Sequence, residues 1–158
     1  MTAAGVRWPA EWEPHDATWI AWPHHDADWP GKFEAIPWVY AEIVRALHAF
    51  ERVIILCHDG AVRANAVRCL DAHSVDASRC ELHDCPTDRA WLRDSAPTAV
   101  RTAGGAVELV HWGFNAWAKY DNYARDERVG AVVSRVSGLP LREPLRPDGA
   151  GRVILEGG

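Results

Sequence analysis

Three short runs carry residue types that could do chemistry. Trp91-Leu92-Arg93-Asp94 sets a charged pair beside an indole, directly after the turn-prone Pro86-Thr87-Asp88. Such a pair on a loop or strand end is a candidate site element, because loops held by a rigid scaffold carry much of protein function. An exposed Arg–Asp pair with no further role fits the same run. Trp112-Gly113-Phe114-Asn115-Ala116-Trp117-Ala118-Lys119-Tyr120 packs four aromatics into nine residues and reads as an aromatic loop. Leu155-Glu156-Gly157-Gly158 puts a carboxylate next to two glycines, where a ligand can approach the backbone closely. Nine tryptophans, six of them within the first 38 residues, suit either a filled core edge or an aromatic wall for a flat or cationic ligand.

Other combinations promise chemistry that their spacing does not support. Cys57-His58-Asp59 lists a nucleophile, a base and an orienting acid in a row. Neighbours on a strand point to opposite faces, so Cys57 and His58 are poorly placed to share a proton. His24-His25-Asp26 lacks ligand spacing and reads as a solvated loop. Cys80, His83 and Cys85 lie close together, but no second half of a zinc ligand set follows, so no metal site is expected. The four cysteines contain no C-x-x-C pair, and reduced, buried thiols are expected.

The elements that must position these runs follow from apolar periodicity. Thr18-Trp19-Ile20-Ala21-Trp22 is a short β-prone run stopped by Pro23. Val39, Ile43, Ala46, Leu47 and Phe50 recur at three- and four-residue steps and predict a helix with one apolar stripe. Val53-Ile54-Ile55-Leu56 predicts a buried strand. A helix over Ala61 to Leu70 and a strand over Cys80 to His83 follow. A hairpin pairs Thr98-Ala99-Val100 with Ala106 to His111 across Gly104-Gly105. A helix over Val129 to Ser137 ends at Gly138, and Val153-Ile154-Leu155 is a last strand. The alternation of strands and helices predicts an α/β fold.

Composition narrows the function classes. The chain has 158 residues, 48% hydrophobic and 25% charged, which suits one folded domain and excludes global disorder. The formal charge of −5, with no basic block, argues against a nucleic-acid partner. No run reaches 18 apolar residues and the N-terminus has no signal core, so no membrane partner and a cytoplasmic location are expected. The final apolar run meets the terminus with no polar tail, from which an interrupted polypeptide is expected.

Taken in order, the motifs are more telling than any one of them. Trp8-Pro9-Ala10-Glu11-Trp12-Glu13-Pro14-His15, Thr18-Trp19-Ile20-Ala21-Trp22-Pro23-His24 and Trp29-Pro30-Gly31-Lys32 resemble the opening of the agmatine deiminase family, within the bacterial-type peptidylarginine deiminases. Pro86-Thr87-Asp88, Trp91 to Thr98, Trp112 to Trp117, Lys119-Tyr120 and Leu155 to Gly158 continue the resemblance over essentially all 158 residues. The resemblance implies an α/β pentein fold, an α/β-propeller of five ββαβ-type modules. Residues 1–158 would form roughly the first two, a single incomplete deiminase domain truncated after Leu-Glu-Gly-Gly.

The implied reaction is hydrolysis of agmatine to N-carbamoylputrescine and ammonia, a step toward putrescine. In it a Cys thiolate attacks the guanidinium carbon, ammonia leaves, water resolves the thiouronium, and a His from an H-x-D motif moves protons. No metal or organic cofactor is implied. The resemblance places Asp94 as the carboxylate that grips the guanidinium, Trp91 as the aromatic wall beside it, and Glu156 as a carboxylate contacting or orienting the catalytic His. Paired N–H···O bonds to Asp94 would fix the guanidinium plane and aim its carbon at the thiolate.

The departures from the family pattern are specific. Ala96 stands where Gly is usual, Arg89 replaces an acidic residue, and Ala118 replaces a common Gly. A strained loop is expected at Ala96 if that position needs a positive φ. The H-x-D motif and the nucleophilic Cys belong to later modules, and Cys57, Cys69, Cys80 and Cys85 do not match that nucleophile. The chain alone is therefore expected to be inactive. Alternatives are a non-catalytic guanidinium- or polyamine-binding module, a peptidyl-arginine deiminase fragment, and a subunit completed by a C-terminal partner chain; a homo-oligomer is a further expected association.

Overall fold

Two stretches of apolar sequence become two separate sheets. The computed structural model describes residues 5–155, so the Glu156-Gly157-Gly158 motif lies outside the described residues. The chain divides into two compact units, one of residues 15–92 and one of residues 1–14 with 93–158.

The first unit is a parallel sheet of β1 (Ala17–Ala21), β2 (Arg52–Cys57) and β3 (Cys80–Asp84), in that order. Register runs from Ala17 opposite Arg52 to Ala21 opposite Leu56, and from Val53 opposite Cys80 to Cys57 opposite Asp84. The predicted Val53–Leu56 run forms the middle of the central strand and is buried throughout, as a strand covered on both faces must be. Helices α1 (Ile36–Leu47) and α2 (Gly60–Ala72) make the crossovers. Asp59 caps α2 by accepting a hydrogen bond from the Val62 amide at 2.8 Å. Trp22, Ala41, Val44, Ile55, Leu70 and Cys57 share its core.

The stripe expected on α1 is corrected by this packing. Pro37, Ala41 and Val44 face the core, while Val39, Ile43, Ala46 and Phe50 are exposed. Small residues win the sheet-facing side because they let the helix approach the strands closely; periodicity reveals a stripe but not which side the sheet occupies.

The second unit holds the mixed sheet β4 (Thr98–Arg101), β5 (Val107–Val110) and β6 (Leu141–Arg142). β4 and β5 form the expected antiparallel hairpin, and β6 runs parallel to β5. Helix α4 (Val129–Ser137) has the predicted bounds and stops at Gly138, whose φ of 72° is left-handed. The order is therefore β-β-α-β here and β-α-β-α-β in the first unit. β6 was not anticipated: two residues between Pro140 and Glu143 are too few for a periodic signal. The expected strand over Val153–Leu155 is reduced to an isolated bridge between Gly113 and Ile154, with the Gly113 amide 2.8 Å from the Val153 carbonyl.

Candidate functional site

In the first unit, the carboxyl ends of the parallel strands bring together residues that lie far apart in sequence, at the sheet edge where open α/β folds bind ligands. His24, beyond β1, and His58, beyond β2, stack with ring centroids 4.4 Å apart and planes 24° from parallel. Both point at the carbonyl of Thr87, beyond β3: His24 Nε2 lies 3.0 Å and His58 Nδ1 2.7 Å from that oxygen. Burial holds the His24 imidazole below its usual pKa, as does the neighbouring His58 ring. The neutral ring donates one N–H and thereby anchors the Pro86-Thr87-Asp88 turn. His24 is thus structural and not the solvated loop residue expected.

The same turn leads to Arg89, whose guanidinium makes an ion pair with Asp28; the Asp28 side chain is fully buried and Arg89 nearly so. Arg89 also lies 5.1 Å from the centre of the Trp91 ring, within cation–π range. The Arg that replaces the acidic residue of the family pattern therefore has a built environment, and Trp91 is held by it. No local sequence signal links Asp28 to a partner 61 positions away.

Asp94 belongs to the second unit, on the single-turn helix α3 (Leu92–Ser95). Its carboxyl is pushed above its ordinary range by burial, with the Arg93 charge acting in the opposite sense. A partly dehydrated carboxylate attracts a planar cation more strongly than a solvated one, because the surrounding dielectric is lower. Arg93 pairs with Glu11, on the surface. Ala96 is not among the residues with positive φ, so the strain considered there does not arise. Ala118 differs: Ala116, Trp117 and Ala118 have φ of 51°, 56° and 52°, three consecutive left-handed residues in the aromatic loop. The usual Gly at position 118 has a physical reason, and this chain departs from it.

A second polar cluster was missed by sequence reasoning. His111, at the end of β5 and 2% exposed, accepts a hydrogen bond from Arg152 at 2.6 Å on Nδ1. Burial, and then the Arg152 charge, hold this imidazole below its usual pKa, with the Glu143 and Glu127 carboxylates acting in the opposite sense. Arg152 also donates to Glu143 and to Glu127, each at 2.8 Å. This network pins residues 152–154 against residues 111–113. Gly130 is its one legible trace: a Cβ there would meet the His111 ring at 2.5 Å.

The cysteines are not available as nucleophiles in this state. All four lie outside any disulfide and are buried. Burial pushes Cys57 up to about 11 and raises Cys69 and Cys80 as well. His58 and Asp59 are engaged with Thr87 and Val62, so the Cys57-His58-Asp59 run is no triad. Among the described residues no three His, Cys, Asp or Glu side chains converge as a metal cluster, and no helix is long and apolar enough to cross a membrane.

Comparison with known proteins adds an independent line. A family model described as Porphyromonas-type peptidyl-arginine deiminase matches residues 7–158. The chain is 33% identical to an agmatine deiminase of Pseudomonas aeruginosa (strain LESB58) over 158 residues, 99% of this chain and 40% of the relative. It is 32% identical to the agmatine deiminase of Ectopseudomonas mendocina (strain ymp), covering 99% and 40%. The solved structure of the agmatine deiminase of Enterococcus faecalis superposes with a TM-score of 0.76 at 22% identity, over 87% of this chain and 37% of that one. The chain thus spans about 40% of the length of the curated relatives it matches.

Proposed function

The chain belongs to the Porphyromonas-type peptidyl-arginine deiminase family, and from that premise we infer that it is the N-terminal part of a guanidine-hydrolysing enzyme that takes agmatine and water to N-carbamoylputrescine and ammonia. The observation that carries the reading is Asp94, a partly buried carboxylate in the Trp91-to-Asp94 motif. In this reading Asp94 grips the guanidinium through two N–H···O bonds, and Trp91, steadied by Arg89, walls the substrate. Glu156 orients a catalytic His. The thiolate and the H-x-D histidine come from further modules of a five-module propeller, of which residues 1–158 are an incomplete domain. The buried, protonated thiols of this stretch support that division of labour. The two named curated relatives act on agmatine by their names, which favours that substrate over peptidyl-arginine. A cytoplasmic location goes with it.

Calorimetry and an ammonia-release assay test this together. The 158-residue chain is expected to bind agmatine, to lose that binding on Asp94→Asn, and to release no ammonia. In a polypeptide extended to include an H-x-D motif and a nucleophilic Cys, Asp94→Asn is expected to cost at least ~100-fold in turnover, the scale of a misaimed reactive carbon. Cysteine-dependent turnover by residues 1–158 alone would refute the assignment of the nucleophile. Binding with no turnover in the extended polypeptide would favour a non-catalytic guanidinium-binding module. Preference for a peptidyl-arginine analogue over agmatine would reassign the substrate.

A further inference from the structure

A cation stands beside the wall that the proposed function gives to a cation. The Arg89 guanidinium carbon lies over the Trp91 ring, 5.1 Å from its centre. A second guanidinium in contact with the same indole would lie within about 10 Å of the first, where two unit charges at an effective dielectric of about 20 repel enough to cost ~10-fold in affinity. The acidic residue usual at position 89 in the family pattern raises no such conflict, so the conflict belongs to this chain.

Asp28 removes it. The Asp28 side chain is fully buried, Arg89 is nearly so, and the two form an ion pair across 61 positions. Asp28 is held by its own turn, with its amide 3.2 Å from the His25 carbonyl. Trp29, the next residue, packs against Phe33 and Tyr40 with ring centroids 6.0 and 6.4 Å away. At a ligand on Trp91 the opposite charges of Asp28 and Arg89 largely cancel. Stability does not account for the pair. The second Asp28 oxygen, Oδ2, is buried and accepts no hydrogen bond among the described residues, which is a cost to folding. A buried ion pair also commonly stabilises a fold less than apolar residues of the same volume do.

Resting on the reading of Trp91 as the substrate wall, we propose that Asp28 and Arg89 are positioning residues for guanidinium binding. Arg89 fixes the plane of Trp91, and Asp28 cancels the Arg89 charge so that the wall accepts a second cation. Neither residue touches the reacting atoms; both act through Trp91.

Binding to the 158-residue chain tests this with two ligands that differ only at the head. Agmatine carries a guanidinium and N-carbamoylputrescine a neutral urea, on the same ammonium tail. Titration followed by the indole N–H signals in NMR reads both affinities. Asp28→Asn removes the countercharge and is expected to weaken agmatine at least ~5-fold relative to N-carbamoylputrescine. Arg89→Gln leaves the Asp28 charge in place and is expected to move the same ratio at least ~5-fold the other way. The double variant Asp28→Asn/Arg89→Gln is expected to return the ratio to within ~2-fold of the wild type. A role in packing alone would weaken both ligands alike in either single variant. The two single variants carry opposite signs, so each remains decisive if the other misfolds. Ratios that stay near the wild-type value, or that shift the same way in both single variants, overturn this proposal and leave the deiminase reading standing. A wild-type chain that binds neither ligand overturns that reading, and this proposal with it.

Discussion

Replacing Gly130 by Ala asks whether the polar cluster of His111 and Arg152 is rigid. Gly130 is the second residue of α4, and Ala is favoured over Gly in a helix by about 1 kcal/mol. Propensity alone therefore says that Gly130→Ala stabilises. The structure reverses the sign. The new methyl would sit 2.5–2.6 Å from three atoms of the His111 ring, against an ordinary carbon contact of about 3.5–4.0 Å. The ring cannot retreat freely, because it is buried and held at 2.6 Å by Arg152, itself tied to Glu127 and Glu143. Overpacking of this kind costs about 1–3 kcal/mol, and displacing the ring from Arg152 adds the loss of a charge-assisted hydrogen bond, about 1.5–3 kcal/mol. After the propensity gain, the net expectation is a loss of about 1.5–5 kcal/mol, or ~3–20 °C in Tm for a chain of this length. Urea unfolding followed by tryptophan fluorescence reads the shift in midpoint. The decisive comparison is the same substitution in a His111→Ala background. There the obstacle is gone, and Gly130→Ala should stabilise by about 1 kcal/mol. Equal destabilisation in both backgrounds would refute the reasoning, because the ring would not be the cause.

Ala118→Gly should stabilise the chain by about 0.5–1 kcal/mol. It removes a left-handed Ala, costing about 1–2 kcal/mol, at the expense of some unfolded-state entropy, and the same urea midpoint checks it. Arg89→Ala should cost about 3–5 kcal/mol by leaving Asp28 buried and unpaired, whereas Arg93→Ala, on the exposed pair with Glu11, should cost under ~1 kcal/mol in the same assay. His24 and His111 both titrate below their usual range when folded, so the unfolded chain binds their protons first as acid is added. Their contribution is complete above the unfolded value of about 6.5 and is lost as pH falls through the lowered folded values. Urea midpoints at pH 7.5 and 5.5 should therefore differ, and His111→Gln should reduce the difference.

Much of the fold was legible because its signals are local. The four apolar residues Val53–Leu56 can hardly be anything but a covered strand, and Gly138 after the Val129–Ser137 repeat marks a left-handed helix stop. The family, too, is written in ordered short motifs, which is why the resemblance and the match over residues 7–158 agree. The direction of the α1 stripe was not legible. Periodicity measures the angle between side chains on a helix but carries no reference to the sheet, and here the small residues face it.

The sequence by itself determined most of the elements and the order of the motifs. Only the tertiary structure decided the environments. It joined Asp28 to Arg89 across 61 positions and stacked His24 on His58 over the Thr87 carbonyl. It set the His111 ring where Gly130 leaves room, and it buried the four thiols so that their pKa values rise or their access is lost. Each of these depends on solvent exclusion and on partners supplied by other strands, and neither quantity is a property of a residue and its neighbours in the chain.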